Sequence, residues 1–283
     1  MTATTGIRLV DVRGRRVRYR DEGSGPVVLL LHGIARSLED WDPQVPLLAG
    51  RYRVLAPDLA GYGESEPLRE PYSLPTLARS VEDLLDALGI DGPVHVAGNS
   101  LGGAVAMQLS VQAPPRVRTL TLVNSAGFGR EVTATLRLLA IRPLARLLLR
   151  RPTLAAARHT EQSLFADPAL ATDERVRRGY RFAGRPHGTR VLLETASSLG
   201  GLRGVHPHWR RELLDQVRAH GIPTLVTWGD ADRVLPATHL DGARRDLAHA
   251  RTHLFPGTGH MPQIERADEF AELVQAFWDE HPG

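Results

Sequence analysis

The fold of this chain is decided by Val94-His95-Val96-Ala97-Gly98-Asn99-Ser100-Leu101-Gly102-Gly103. In this segment an apolar run ends in a serine that stands between two glycines, in the pattern G-x-S-x-G. A strand that turns at once into a helix forces the middle residue into a strained backbone conformation, and only small neighbours let the two elements approach closely. The pattern therefore predicts a strand, a sharp turn and a helix, with the Ser100 hydroxyl at the tip of the turn and free to attack.

Short β-rich runs alternate with helical patterns on both sides of this segment, which favours an α/β fold with a mostly parallel sheet. The sequence predicts eight strands, at residues 7–12, 16–20, 27–31, 52–56, 93–97, 119–123, 223–228 and 252–255. It predicts flanking helices at 74–88, 103–112, 238–247 and 268–280. We therefore expect an eight-stranded sheet flanked by helices.

The alternation stops after Asn124 and resumes near residue 219. The interval has helical patterns, including one at 132–151 that is interrupted by Pro143, and no evident strand. We therefore predict a core domain at 1–125 and 219–283, with an all-helical cap inserted at 126–218. A run of leucines is predicted to form the inner faces of the cap helices: Leu136, Leu139, Leu144, Leu147 and Leu148.

The interval 126–218 differs from the rest of the chain in charge, because it holds 17 arginines against eight acidic residues. The remainder holds 18 arginines against 24 acidic residues. The simpler interpretation is that the arginines are solvated on the outer face of the cap. The alternative is that they steer anionic substrates or rest the cap on an anionic lipid surface.

The composition excludes several kinds of chemistry. The chain of 283 residues has no cysteine, and all 35 of its basic residues are arginines. A disulfide, a thiolate nucleophile, a lysine Schiff base and a P-loop lysine are therefore excluded. We predict no cofactor and no metal. The expected partner is a small-molecule substrate and not a nucleic acid, because aromatic residues for stacking are few in the interval 126–218 and no binding motif is evident.

The lengths of the apolar runs in the chain bear on its expected location in the cell. Residues 1–10 lack the apolar stretch of a signal peptide, and the longest aliphatic run, Val27–Leu31, is far too short to span a membrane. We expect a cytoplasmic protein. The sequence leaves open whether it is a monomer or a homodimer.

A serine hydroxyl is a weak nucleophile, so it needs a neutral histidine to take its proton and a carboxylate to fix the tautomer of that histidine. His260 lies in the flexible loop Gly257-Thr258-Gly259-His260, between the last predicted strand and the last predicted helix. Two candidate carboxylates, Asp230 and Asp232, follow the preceding strand. Because α/β sheets assemble their sites at the carboxyl ends of strands, we expect these loops to meet near Ser100.

The order serine, acid, histidine resembles the α/β-hydrolase superfamily, in its serine-nucleophile branch with a helical cap. Residues 229–236 match the G-x-x-D-x-x-x-P segment of that family, which implies that Asp232 is the acid and that Asp230 caps the loop. Some relatives carry the acid after the sixth strand, where this chain has Val123-Asn124-Ser125 and no carboxylate. The resemblance thus implies a triad of Ser100, Asp232 and His260.

The same resemblance implies an oxyanion hole. One donor is the backbone N–H of Leu101, at the start of the helix that follows Ser100, where the helix dipole adds to the effect. The other is the backbone N–H of Ile34, because His32-Gly33-Ile34 is similar to the HG-x signature of the family. His32 is expected to order this loop without taking part in the chemistry.

Ser100 excludes the haloalkane dehalogenases and epoxide hydrolases of the superfamily, since both use an aspartate nucleophile. We therefore expect a serine hydrolase that cleaves a small-to-medium, largely apolar ester or lactone through an acyl-enzyme. The alternatives are C–C bond hydrolysis of a vinylogous diketo acid and a noncatalytic binding protein. The C–C bond hydrolases commonly carry a tryptophan where Ile264 stands. The candidate substrate contacts are Arg178, Arg181, Arg185, Val234 and Met261.

Overall fold

The structure is a computed structural model that describes residues 6–139 and 141–282, with every side chain in those ranges except those of residues 142, 144 and 148. It contains one large sheet of eight strands. They are β1 (Ile7–Asp11), β2 (Arg16–Glu22), β3 (Val27–Leu31), β4 (Arg53–Pro57), β5 (Val94–Asn99), β6 (Val117–Val123), β9 (Thr224–Gly229) and β10 (Arg251–Phe255). The prediction of eight strands is confirmed.

The strands follow the order β1-β2-β4-β3-β5-β6-β9-β10. β2 is antiparallel to both of its neighbours, whereas all other neighbouring strands are parallel. The sheet is therefore mostly parallel, as predicted. The carboxyl ends of β3, β5, β6, β9 and β10 lie at one edge, so the loops that follow these strands can meet there.

Helices cover both faces of the sheet. They are α1 (Val45–Leu48), α2 (Leu74–Ala87), α3 (Leu101–Gln112), α10 (Thr238–Asp246), α11 (Pro262–Glu265) and α12 (Ala267–Asp279). Successive residues of a strand point to opposite faces, so Leu29 and Leu31 pack in one apolar cluster with α2 and α3. Val28 and Leu30 pack in a second cluster with α1 and α12. These two layers hold the sheet rigid beneath the loops.

Between β6 and β9 the chain forms what we call the helical insertion. Its elements are α4 (Ala134–Leu138), α5 (Arg142–Leu149), α6 (Leu154–Leu164), α7 (Asp173–Ala183), α8 (Gly188–Leu199), β7 (Gly200–Gly201), β8 (Gly204–Val205) and α9 (Pro207–His220). The predicted helix at 132–151 is two helices, and Pro143 lies in the first turn of the second.

The expectation of no strand in this interval is wrong, because β7 and β8 pair as a short antiparallel ladder. Gly204 makes the turn possible, since it adopts a φ of 94° that favours glycine, and a β-carbon there would collide with the carbonyl oxygen of Arg130. A ladder of two residues per strand leaves no periodic pattern in a sequence.

The predicted domain limits at 126 and 218 stay a prediction. The packing of α9 bears on the second limit, because α9 lies against α3 and its Leu213, Leu214 and Val217 belong to the main apolar cluster of the sheet. By these contacts the middle and end of α9 pack on the layer that covers the sheet.

The predicted inner leucines divide into three groups. Leu139 is buried and Leu136 is half-buried, in a cluster with Leu193 of α8. Leu147 is 64% exposed, so its assignment to the inner face is wrong. The side chains of Leu144 and Leu148 lie outside the described residues.

Candidate active site

Ser100 stands on the turn between β5 and α3 with φ 56° and ψ −114°, a conformation that non-glycine residues rarely adopt. Its N–H donates to the carbonyl of Val123 at 3.0 Å, and its carbonyl accepts from the N–H of Ala126 at 3.1 Å. β-Carbons on the flanking glycines would collide with backbone, of Gly102 in the case of Gly98 and of Leu31 in the case of Gly102. The G-x-S-x-G pattern thus has the steric cause that the sequence indicated.

The side chains of His260 and Asp232 form a buried hydrogen bond at this edge of the sheet. The Nδ1–H of His260 donates to Oδ2 of Asp232 at 2.7 Å. Oδ1 of Asp232 accepts the backbone N–H groups of Val234, at 2.7 Å, and Leu235, at 3.0 Å. A carboxylate can only accept, so Nδ1 carries the proton, and in the neutral ring Nε2 keeps its lone pair.

Burial alone would raise the pKa of Asp232, but the adjacent His260 ring and the donors around the carboxylate hold the pKa below its usual range. The carboxylate is therefore charged throughout the neutral range. In that state it can orient a histidine that works as a base.

Two asparagines complete this network, and sequence reasoning missed both as functional residues. Asn124 follows β6 with φ 44° and donates through Nδ2 to Oδ2 of Asp232 at 2.6 Å. Asn99, inside the G-x-S-x-G pattern, donates to the carbonyl of His260 at 3.0 Å. The signal in the sequence is the amide of Asn124, at the position where some relatives carry the acid, because an amide can donate to a carboxylate.

The histidine loop is tied to the helical insertion at the end of α6. The N–H of His260 donates to the carbonyl of Leu164 at 2.7 Å. Glu265 accepts the N–H of Gly259 at 2.9 Å through one carboxylate oxygen and the N–H of Ala166 at 2.8 Å through the other. Hydrogen bonds to the insertion therefore help to position the histidine loop at the edge of the sheet.

Asp230 contributes one further bond, accepting the N–H of Thr258 at 3.2 Å. It binds the histidine loop without touching His260. This contact agrees with the predicted role of Asp230 in capping the loop.

The loop after β3 brings the backbone N–H of Ile34 to the cavity that also exposes Ser100 and Leu101. Within the described ranges 6–139 and 141–282, the N–H groups of Ile34 and Leu101 donate to no acceptor. Both are available to a ligand oxygen.

His32 orders the Ile34 loop. Its Nε2 accepts the N–H of Leu59 at 2.9 Å, and its Nδ1–H donates to the carbonyl of Gly33 at 2.8 Å. Burial lowers the pKa of His32, so the ring is neutral and holds two segments of backbone together.

A buried charge cluster joins the same loop to the insertion, and no sequence pattern indicates it. The Arg36 guanidinium, two residues after Ile34, donates to both oxygens of Asp40 at 2.7 and 2.8 Å. It also donates to Glu161 of α6. Burial opposes these charges, but the two carboxylates together hold the pKa of Arg36 well above its usual range. Since Arg36 and Glu161 lie 125 positions apart, no local pattern connects them.

A cavity of about 70 Å³ opens at Ser100. The core supplies Ile34, Leu101 and Leu235 to its wall, and Ala126, shortly after β6, adds to it. The helical insertion supplies the rest, namely Val132, Leu136, Ala196, Leu199, Gly200, Gly201, Gly204, Val205 and Trp209. Apart from the Ser100 hydroxyl, the lining side chains are apolar or absent, so the cavity favours an uncharged, apolar group.

None of the predicted substrate contacts lines this cavity. Arg178 pairs with Glu174 of its own helix at 2.7 Å, and Arg181 is exposed. Arg185 donates to the carbonyl of Gly63 and lines a separate groove of about 990 Å³. Val234 and Met261 pack together in a small apolar cluster with Leu164 and Phe165. Sequence alone does not show which way such side chains point.

No three histidine, aspartate or glutamate side chains within the described part of the chain are grouped as a metal site. No helix there combines the length and apolar character that crossing a membrane requires.

Known proteins similar to this chain include two hydrolases of ring-cleavage products and a phospholipase. A 2-hydroxy-6-oxo-6-phenylhexa-2,4-dienoate hydrolase of Burkholderia cepacia is 30% identical over 270 residues, covering 93% of this chain and 91% of that protein. A solved meta-cleavage product hydrolase from Pseudomonas fluorescens has a TM-score of 0.80 at 27% identity, covering 96% of this chain and 97% of the other. A solved bacterial membrane phospholipase A has a TM-score of 0.79 at 27% identity, covering 97% and 86%.

The family model described as the alpha/beta hydrolase fold matches residues 26–267, which is most of the chain. The sheet order, the turn at Ser100 and the loops that follow β9 and β10 agree with this match. The chain belongs to the α/β-hydrolase fold family.

Proposed function

We propose that this protein is a serine hydrolase that cleaves a small-to-medium, apolar carboxylic ester or lactone through an acyl-enzyme. The observation that carries the proposal is the hydrogen-bonded pair of His260 and Asp232 at the sheet edge that presents Ser100 to an uncharged cavity. A base without a nucleophile, or a nucleophile without a base, would support no such reaction.

In the proposed reaction the Oγ of Ser100 attacks the ester carbonyl while His260 Nε2 takes its proton. The N–H groups of Ile34 and Leu101 bind the oxygen that becomes negative, and the carboxylate of Asp232 stabilises the imidazolium. The tetrahedral intermediate expels the alcohol, which takes the proton from His260. Water then attacks the acyl-enzyme by the same route and releases the acid.

The lining of the cavity supports an ester rather than an acid as substrate. A substrate carboxylate in this cavity would find no charged side chain, and burying an unpaired charge costs several kcal/mol. Burying a neutral acyl group in this cavity carries no such cost in free energy. We assign the acyl group to this cavity, and we propose that α4 and α8 of the helical insertion act as its cap.

Relatives support a second candidate function, C–C bond hydrolysis of a vinylogous diketo acid. The Burkholderia cepacia relative, 30% identical, is named for this class of substrate. Against it, Arg178, Arg181 and Arg185, the candidate substrate contacts that could pair with an anionic substrate, do not line the cavity, and Ile264 replaces the tryptophan common in those enzymes. We therefore place this function second.

One experiment separates the candidates. Purified protein and its Ser100→Ala variant are assayed on activated esters of graded acyl length and on one vinylogous diketo acid. We expect turnover of short and medium esters by the wild type and none by the variant, with both folded by circular dichroism. Turnover of the diketo acid alone would give the second function. Turnover of esters by a pure Ser100→Ala protein would remove the assignment of the nucleophile.

A further inference from the structure

One stretch of the helical insertion contains basic residues and no acidic ones. Residues 132–160 contain no aspartate or glutamate. They contain six arginines: Arg137, Arg142, Arg146, Arg150, Arg151 and Arg158. The stretch covers α4, α5 and the first part of α6. The stretch therefore holds no counter-charge of its own, although Arg158 pairs with Asp173 outside it at 2.5 Å.

Arg146 of α5 and the two arginines that follow the helix, Arg150 and Arg151, are exposed. Ala145 is buried and Leu149 half-buried, in the cluster that joins α5 to α8. Arg146, Leu147 and Arg150 are exposed, and Arg151 follows them on the surface. Because positions 146, 147 and 150 share one side of a helix, the outer face of α5 presents arginine and leucine side by side.

Arg146, Arg150 and Arg151 form no ion pair with the part of the protein that the structure describes. Among residues 6–139 and 141–282, no carboxylate forms an ion pair with Arg146, Arg150 or Arg151. Elsewhere on the surface, Arg16 pairs with Glu66 and Arg251 pairs with Glu280. The charge on α5 is thus available to an external anion.

Exposed leucines accompany this charge. Leu138 at the end of α4 is 45% exposed, Leu147 of α5 is 64% exposed, and Leu154 at the start of α6 is 51% exposed. Exposed leucines interleaved with arginines are typical of a helix that rests on a membrane, where the apolar side chains enter the acyl boundary and the cations meet anionic headgroups. We call this surface, defined by Leu138, Arg146, Leu147, Arg150, Arg151 and Leu154, the basic cap face.

We propose that the basic cap face docks on an anionic lipid surface. The docking does not need the proposed ester chemistry, but its consequence for the substrate rests on that function. Leu136 of α4 lines the cavity at Ser100, so a docked α4 brings the wall of that cavity next to the lipid. Esters held in or near the membrane would then reach Ser100 from the docked side.

Two other occupants fit the face less well. A second copy of the chain on a twofold axis would bring Arg146, Arg150 and Arg151 against themselves, which like-charge repulsion opposes. Nucleic acid would use the arginines but not the exposed leucines, and the face has no aromatic side chain for stacking. An anionic lipid surface uses both kinds of side chain.

Co-sedimentation with vesicles tests the proposal. The probes are phosphatidylcholine vesicles with and without an equimolar amount of phosphatidylglycerol. We expect the wild type to bind the anionic vesicles, to be released by high salt, and not to bind the neutral ones. The triple variant Arg146→Glu, Arg150→Glu, Arg151→Glu should bind about a hundredfold more weakly. Leu147→Ser should weaken binding several-fold without changing the charge.

A charge-matched control separates this face from the overall charge of the protein. Arg69→Glu, Arg79→Glu and Arg245→Glu together change three exposed core arginines and should leave vesicle binding as in the wild type. Equal loss in both triple variants, or no binding by the wild type, would overturn the docking. A wild-type dimer by light scattering that the α5 variant dissociates would assign the face to a second copy.

Hydrolysis of a water-soluble ester is measured in parallel, and the α5 variant should match the wild type there. Binding to anionic vesicles without any ester hydrolysis would support docking and remove the proposed function. Ester hydrolysis without binding to anionic vesicles would support the proposed function and overturn the docking.

Discussion

The core wall of the cavity at Ser100 is held by directional hydrogen bonds, whereas the part of the wall that α4 and α8 supply is held by apolar contacts. On the core side, Asp232 has a partner for each of its oxygens, and the strained turn at Ser100 is fixed by backbone bonds. On the insertion side, Leu136 and Ala196 share one apolar cluster. Directional bonds tolerate little change, while apolar contacts can be repacked. We therefore expect changes on the core side to abolish the reaction and changes on the insertion side to alter which substrate reacts.

The largest effect is expected from Asp232→Asn, on the core side. The amide can no longer hold His260 in the tautomer that leaves Nε2 as the base, so kcat should fall by about 10³ to 10⁴. The matched control is Asp230→Asn in the same loop, whose carboxylate contacts only the Thr258 N–H. Steady-state kinetics on an activated ester measure both. A loss of activity in the control as large as that in Asp232→Asn would show that the loop, and not the acid, had been disturbed.

Glu161→Gln tests the buried ion pair that joins the core to the helical insertion. Removing the carboxylate takes one of two acidic partners from the Arg36 cation, which keeps its bond to Asp40, so the free energy of unfolding should fall by about 1–3 kcal/mol. Because Arg36 follows the Ile34 loop, kcat should fall more than KM rises. Urea unfolding and steady-state kinetics provide the two readouts.

The control for this change is Glu174→Gln on α7. Its carboxylate is 83% exposed and pairs with Arg178, so the loss should stay below about 1 kcal/mol. A stability loss at Glu161 without any change in kcat would restrict Glu161 to a structural role.

Low pH should reduce the free energy of unfolding through His95, a buried residue of the core. His95 of β5 is buried against Trp278 and Tyr52, and burial lowers its pKa to about 4. The unfolded chain therefore takes up this proton at higher pH than the native one. Its contribution to stability is complete above about pH 6.5 and declines as the pH falls toward 4, by up to about 3 kcal/mol. Urea unfolding at several pH values should show this slope in the wild type and a shallower one in His95→Gln. His159→Gln, at an exposed site on α6, should keep the wild-type slope.

The same contrast explains which features the sequence predicted. The turn at Ser100 is a local steric problem, and the buried strands β3 and β5 are continuous apolar runs, so both leave a clear pattern. The loops of Asp232 and His260 follow strands, and the order of strands brings them to one edge. Local pattern and topology together are enough for these residues.

Contacts between segments that are distant along the chain could not be predicted from the sequence. The pairing of Arg36 with Glu161 depends on how α6 settles over the sheet, which no spacing encodes. The outward direction of Leu147 has a different cause. Leucines occur on several sides of α5, so the sequence does not set the rotation of this helix, and packing against α8 decides it.

Leu136→Ala should give the smallest effect, on the insertion side. The half-buried Leu136 side chain lines the cavity at Ser100, so its loss makes room for a longer acyl chain. We expect the ratio of kcat/KM for a longer against a shorter ester to rise roughly tenfold, since a methylene or two in an apolar pocket is worth that much. Leu138→Ala, on the same helix but exposed, should leave the ratio unchanged. An unaltered ratio in Leu136→Ala would place the acyl group elsewhere, because a side chain in contact with the substrate cannot be shortened without changing which chain length fits.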